Sequence, residues 1–187
     1  MRVVGGSLRG RTLATPKSQT IRPTADRLRE SLFNILVHAY DNPIVGARVL
    51  DLFAGTGALG IEALSRGAAF ALFVDDGAEA RALMRENVAT LGLGGTSRIF
   101  RRDATKLGPA HPVEPFALAF LDPPYGKGLA EQALASARAG AWLVPDALIV
   151  VEEATKAKFS APEGFTEIER RGYDDTEFVM LRLAIAP

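Results

Sequence analysis

Asp51-Leu-Phe-Ala-Gly-Thr-Gly57 decides the fold. The segment runs out of an apolar stretch into a glycine turn, and Gly55-Thr-Gly57-Ala-Leu-Gly60 spells G-x-G-x-x-G at the point where a helix should open. The physical content of that spelling is space. Gly55 and Gly57 permit a tight turn and let a ligand come against backbone where a side chain would block it. A dinucleotide and S-adenosylmethionine both need such space, so the loop alone leaves an NAD-dependent oxidoreductase and a methyltransferase open. Asp51 separates them: a carboxylate at the strand end would repel a pyrophosphate, whereas it could hold the cationic amino group of a methionine moiety.

Around this loop, short apolar runs alternate with longer amphipathic ones, the pattern of a parallel sheet with crossover helices. Ala47 to Phe53 reads as the first strand, and helical spacing at Leu59, Ala63 and Leu64 follows, ending near Gly67. Ala71 to Val74 is a buried strand closing on Asp75; a helix then runs from about Ala78 to Leu91 and stops at Gly92. Arg98 to Arg101 and Phe116 to Leu121 are the third and fourth strands, with an exposed loop expected over Pro109 to Pro115. Leu129 to Ala139 is helical and Ala147 to Val151 is a fifth strand. Phe165 to Arg171 and Glu177 to Leu183 are close enough, across Gly172-Tyr-Asp-Asp175, for a hairpin.

The N-terminal segment differs. Residues 2 to 23 are basic, glycine-containing and patchily apolar, which suits a small hairpin or an extended arm. Behind it, Thr24 is placed as an N-cap with Asp26 in the first turn, and Leu28, Leu32, Ile35 and Leu36 form an apolar stripe.

Composition bounds the alternatives. With 187 residues, 48% of them hydrophobic, one core is expected and one domain over 1–187: a basic extension and helix over 1–40, then a Rossmann-like core over 44–187. Lys plus Arg and Asp plus Glu both number 22, so a polyanionic partner must be argued from local clustering. Residues 1–40 supply it: seven basic residues stand against Asp26 and Glu30, a net +5, leaving −5 for the remainder. The absence of cysteine removes disulfides, thiol nucleophiles and Cys-based zinc sites. Two histidines, His38 and His111, lie too far apart in sequence to suggest a metal cluster, and His38 reads as a surface residue. No signal peptide or membrane span is expected, and the reading is a cytoplasmic monomer without metal.

The chemistry is carried by Asp122-Pro123-Pro124-Tyr125, which follows the fourth strand at the carboxyl edge where open α/β sheets bind ligands. Two successive prolines remove two N–H donors, so the turn presents acceptors. Acceptors suit an amine. An exocyclic base amine is a poor nucleophile because its lone pair is delocalised into the ring. Hydrogen bonds from it to the Asp122 carboxylate and the Pro123 carbonyl would aim the lone pair at a sulfonium methyl and disperse the charge that develops on nitrogen. Tyr125 offers a face on which the base can stack once it leaves its helix or stack. An in-line displacement of this kind requires neither metal nor covalent intermediate. Asp75 is placed to accept from ribose hydroxyls and Asp103 from the adenine amino group, the alternative for Asp103 being a cap ahead of Ala104.

Together these blocks resemble the RsmD family of methyltransferases, which modify the N2 amine of a guanine in 16S ribosomal RNA. The resemblance covers nearly the whole chain. It is carried by Gly5-Gly6 with Arg9-Gly10-Arg11, by Arg22-Pro-Thr-Ala-Asp-Arg-Leu-Arg-Glu-Ser-Leu-Phe-Asn34, by Asp51 to Gly57, by Glu62-Ala-Leu-Ser-Arg66 and by Asp122 to Tyr125. Arg22 to Asn34 is the family-specific part; the other motifs occur across amino-methyltransferases, including adenine-N6 enzymes of DNA, which usually carry an added recognition segment. The resemblance implies a class I methyltransferase fold: a seven-stranded, mostly parallel Rossmann-like sheet with a C-terminal antiparallel hairpin, helices on both faces, and a short N-terminal extension. It implies that Asp51, Phe53, Gly55, Gly57, Asp75 and Asp103 hold S-adenosylmethionine and that Asp122 to Tyr125 hold the guanine amine. Arg9, Arg11, Arg22, Thr24 and Arg29 become candidates for the RNA side, with helix capping and an i,i+3 pair of Asp26 with Arg29 as the plainer alternatives. One departure is Asp75-Asp76-Gly77, where relatives more often carry Glu, so either carboxylate could meet the ribose.

Overall fold

The computed structural model describes residues 1–17 and 26–185. One seven-stranded sheet runs through it in the order β3-β2-β1-β4-β5-β7-β6. Its strands are β1 Arg48–Leu52, β2 Phe70–Asp75, β3 Ser97–Arg101, β4 Phe116–Leu121, β5 Leu143–Ala154, β6 Phe165–Tyr173 and β7 Thr176–Leu183. The first five run parallel to one another, and β7 runs antiparallel to both β5 and β6. The order reverses direction between β1 and β4, which places a crevice at the carboxyl ends of those two strands.

Both faces of the sheet are covered, as near-continuous apolar strands require. Helices α1 Asp26–Ala39, α2 Ala58–Ser65 and α3 Ala78–Thr90 pack on one face, against Val49, Phe73 and Phe120 among others. Helix α4 Leu129–Ala139 covers the other, against Leu50, Leu121 and Val151. Of the expected stripe on α1, Leu32, Ile35 and Leu36 are buried and Leu28 packs partly buried against the same cluster; Phe33 joins them, while His38 is exposed. Thr24, the expected cap of this helix, lies outside the described residues. No described helix is long and apolar enough to cross a membrane.

Two expectations about strands need correction. β5 is longer than Ala147 to Val151: it continues through Glu152, Glu153 and Ala154, because β7 pairs with it as far as Ala154↔Thr176. The terminal hairpin turns on Asp174 and Asp175, with Asp174 at φ 56°, so Gly172 and Tyr173 belong to β6.

The N-terminal segment forms a small antiparallel clip, with Arg2 bridging Thr12 and the Val3 amide donating to the Arg11 carbonyl at 2.9 Å. Gly5 and Gly6 lie flat against the end of α2, where a Cβ on Gly6 would sit 2.0 Å from the Ser65 carbonyl oxygen. The Ser7 amide donates to that same oxygen at 2.8 Å. The Gly-Gly pair is therefore a requirement of close backbone approach.

Candidate active site

Three loops meet above the carboxyl ends of β2, β1 and β4. After β1, the chain turns through Phe53 at φ 57°, Gly55 at φ 58° and Gly57 at φ 81°, then opens α2. Left-handed backbone is cheap only for glycine, so Phe53 is a strained position held by its surroundings. Gly57 is doubly constrained, because a Cβ there would also press on buried Phe73 at 3.3 Å. The Asp75 carboxylate locks the loop from the neighbouring strand. It accepts from the Gly55 amide at 3.0 Å and from the Gly77 amide at 2.8 Å, so it joins the turn after β1 to the turn after β2.

Between these loops lies a cleft of about 520 Å³. Phe53 and Gly55 form one side, Asp75, Asp76 and Glu79 the next, and Asp122 to Tyr125 the third. A second lobe of about 220 Å³ shares Phe53, Asp75, Asp76 and Pro124 with it and extends to Asp103. The loop and tetrapeptide singled out from sequence thus face one another across a single cleft.

Asp51 sits behind the loop rather than on the cleft wall. It is fully buried and accepts from the Gly60 amide at 3.0 Å. Burial pushes its carboxyl well above the ordinary carboxylate range, with the Gly60 amide opposing that shift and the charge of Asp75 reinforcing it. Asp103 takes the capping role: its Oδ1 accepts from the Thr105 amide at 2.8 Å and from the Thr105 hydroxyl at 2.7 Å. Those bonds lower its pKa, and the residue nevertheless lines the smaller lobe.

At the tetrapeptide, the Asp122 amide reaches the Leu52 carbonyl at 3.5 Å, tying the end of β4 to β1. Pro123 is buried and Pro124 exposed. The Tyr125 hydroxyl donates to Glu152 Oε1 at 2.7 Å, and the Gly126 amide donates to Glu153 Oε1 at 3.0 Å.

The basic candidates divide. Arg9 and Arg11 are exposed on the clip, Arg11 donating to the Thr90 carbonyl at 3.1 Å. Arg22 and Thr24 lie outside the described residues. Arg29 is a correction: it is wholly buried, pairing with Glu62 at 3.2 Å and with Asp26 at 3.0 Å, and so cannot face an RNA. The residue that captures it, Glu62, was not anticipated as an anchor. A lone carboxylate in the otherwise apolar run Gly60 to Leu64 was the available signal, since a buried charge needs a partner. Asn87 was likewise missed: its Nδ2 donates to the Thr56 carbonyl at 2.9 Å and its Oδ1 accepts from the Ala14 amide at 2.7 Å, joining glycine loop to N-terminal clip. The clip also reaches the cleft directly, the Lys17 amide donating to Glu79 at 3.2 Å.

The family described as "Conserved hypothetical protein 95" matches residues 1–182. Ribosomal RNA small subunit methyltransferase D of Escherichia coli is 43% identical over 153 residues, covering 81% of this chain and 74% of that protein. The chain belongs to the RsmD family. A putative rRNA methyltransferase of Bacillus subtilis, YlbH, is 42% identical over 127 residues, 67% of each chain. Among solved structures, the putative methyltransferase yhhF from Escherichia coli superposes with a TM-score of 0.84 at 32% identity, covering 100% of this chain and 99% of that one. The crystal structure of the Haemophilus influenzae putative methylase HI0767 gives 0.78 at 30% identity over 98% of both. The mixed seven-stranded sheet with its antiparallel end is the fold of these methyltransferases.

Proposed function

We propose that this RsmD-family protein transfers the methyl group of S-adenosylmethionine to the exocyclic N2 amine of a guanine in 16S ribosomal RNA, acting in the cytoplasm as a monomer. The single observation that carries the reading is that Asp122 to Tyr125 form one wall of the cleft whose other walls are the Gly55 loop and the acidic turn at Asp75. Ribosomal RNA is the substrate stated in the names of its relatives.

The residues fit the cofactor. Gly55 and Gly57 leave the loop without side chains, Asp75 and Asp76 put carboxylates where ribose hydroxyls can donate, and the lobe at Asp103 has room beside Val74 for an aromatic base. Asp51, buried behind the turn and bonded to the Gly60 amide, supports the loop and offers its negative charge to the amino group across it. S-adenosylmethionine supplies, when bound, a methyl group activated by attachment to a sulfonium. The chain's own residues do the rest. Asp122 and the Pro123 carbonyl accept from the guanine amine and orient its lone pair; Tyr125 stacks the base; Phe53 and Pro124 exclude water. Arg9 and Arg11 contact phosphates.

The test is transfer of labelled methyl from S-adenosylmethionine to small subunits lacking the modification, with nucleoside analysis of the product. One labelled N2-methylguanosine is expected, Asp122→Ala abolishing it while cofactor binding by calorimetry stays within a few-fold. Label in no form of rRNA overturns the substrate reading; normal transfer by Asp122→Ala overturns the role of that carboxylate.

A further inference from the structure

The loop that carries Asp122 to Tyr125 is held by two consecutive carboxylates of the neighbouring strand. β5 pairs with β4 up to Leu121↔Val151, so Glu152 comes level with the start of the loop, and β5 then continues beneath it with β7 as its partner. Glu152 and Glu153 point to opposite faces there, as successive strand residues must. Glu152 accepts the Tyr125 hydroxyl at 2.7 Å, with Thr176 Oγ1 3.4 Å from the same hydroxyl. Glu153 accepts the main-chain amide of Gly126 at 3.0 Å and, through the same oxygen, that of Ala154 at 2.8 Å. One grips the ring, the other the backbone next to it.

These carboxylates are only 2% and 1% exposed. A neutral acceptor would hold the ring plane as well, so what an acid adds at Glu152 is charge. Charge bears on the reaction: positive charge moves onto the amine nitrogen as the methyl arrives. A phenol donating to a carboxylate has a more electron-rich ring than one donating to a neutral group, and such a face attracts a developing cation more strongly.

Resting on the stacking role proposed for Tyr125, we infer that Glu152 is a positioning residue for methyl transfer, which fixes the plane of the Tyr125 ring and enriches its π face through the phenol hydrogen bond. Glu153 completes the clamp by setting the backbone at Gly126.

The experiment is a double-mutant cycle of Tyr125→Phe and Glu152→Gln in the full-length protein, read as kcat and KM for small-subunit rRNA, with cofactor affinity and melting temperature measured alongside. Glu152→Gln, which keeps an acceptor for the phenol and loses the charge, is expected to lower kcat about tenfold with KM nearly unchanged; Tyr125→Phe, which also frees the ring, is expected to lose about 100-fold, and the double variant to be no slower than Tyr125→Phe, because the charge acts only through the hydroxyl. Glu152→Ala, which frees the ring as well, is expected to lose about 100-fold, with Glu152→Gln restoring part of it. Losses that multiply in the double variant, or wild-type kcat in Glu152→Ala, overturn the inference. The volume-conserving pair carries the test even where Glu152→Ala does not fold. Wild-type protein that labels no rRNA overturns the substrate reading and this inference with it; wild-type transfer with an additive cycle overturns this inference alone.

Discussion

Glu62 and Arg29 form an ion pair in which both side chains are wholly buried, Nε to Oε1 at 3.2 Å. The pair joins α2 to α1, and the same carboxylate accepts the Val4 amide at 2.9 Å, the Gly5 amide at 2.8 Å and Arg66 Nε at 2.9 Å. Arg29 also donates to the Arg2 carbonyl. One carboxylate thus fastens the N-terminal clip, α1 and α2 together. Glu62→Ala leaves Arg29 charged, buried and without this counter-ion, and is expected to cost about 3–5 kcal/mol in denaturant unfolding. The clip should also become cleavable in limited proteolysis. A loss below 1 kcal/mol would show that the pair is not the fastening.

Gly60 is where the cofactor loop meets α2, and the usual gain from placing alanine in a helix, about 1 kcal/mol, is outweighed here. A Cβ at this position would lie 2.5 Å from Phe73 Cε1 and 3.2 Å from Asp51 Oδ2. Phe73 is fully buried and its ring has nowhere to move. Overpacking of this kind costs about 1–3 kcal/mol, so Gly60→Ala is expected to lower the melting temperature and weaken cofactor binding by displacing the Asp51 carboxylate. A melting temperature equal to or above that of the wild type would refute it.

The division between what could be read from sequence and what could not follows from range. β1, β2 and β4 are legible because most of their positions are buried on both faces and apolar residues dominate them. Gly55, Gly57 and the tetrapeptide are legible because local backbone chemistry dictates those residue types. The fate of Arg29 is not, because it depends on Glu62, 33 residues away on another helix. The extension of β5 was hidden for the same reason: Glu152 and Glu153 end the apolar run at Val151, and only β7 and the Tyr125 loop, distant in sequence, bury them. Charged residues announce their position only through partners, and partners are set by topology.

Arg9 and Arg11 project from the clip, whose continuation at Lys17 lies against Glu79 at the cleft. If both contact phosphates, replacing them with alanine should reduce the slope of log affinity against log salt for single-stranded rRNA by about 1.4, at about 0.7 per contact. Cofactor affinity and melting temperature should hold, since neither side chain is buried. An unchanged salt slope would remove this face from the RNA interface.

Asp51 makes the apo protein's stability depend on pH in a direction opposite to that of an ion-paired carboxylate. Its native pKa is raised above the ordinary 3.8, first by burial and also by the charge of Asp75, against the lowering influence of the Gly60 amide. Between 3.8 and the raised value the native state therefore holds a proton that the unfolded chain has released. Stability from this group is fully present at the acid end of that window and falls as pH rises through it. Asp51→Asn should abolish that component, flattening the pH dependence of unfolding free energy and raising the apo protein's stability at neutral pH. Cofactor binding should move in the other direction. A cationic amino group brought to the turn in front of Asp51 favours its ionised form, so binding within the window releases a proton from the wild type, measurable as a buffer-dependent enthalpy, whereas Asp51→Asn binds more weakly and releases none. Parallel stability curves for the two proteins would show that Asp51 is not protonated in the native apo state, and equal proton release would show that the amino group is held elsewhere.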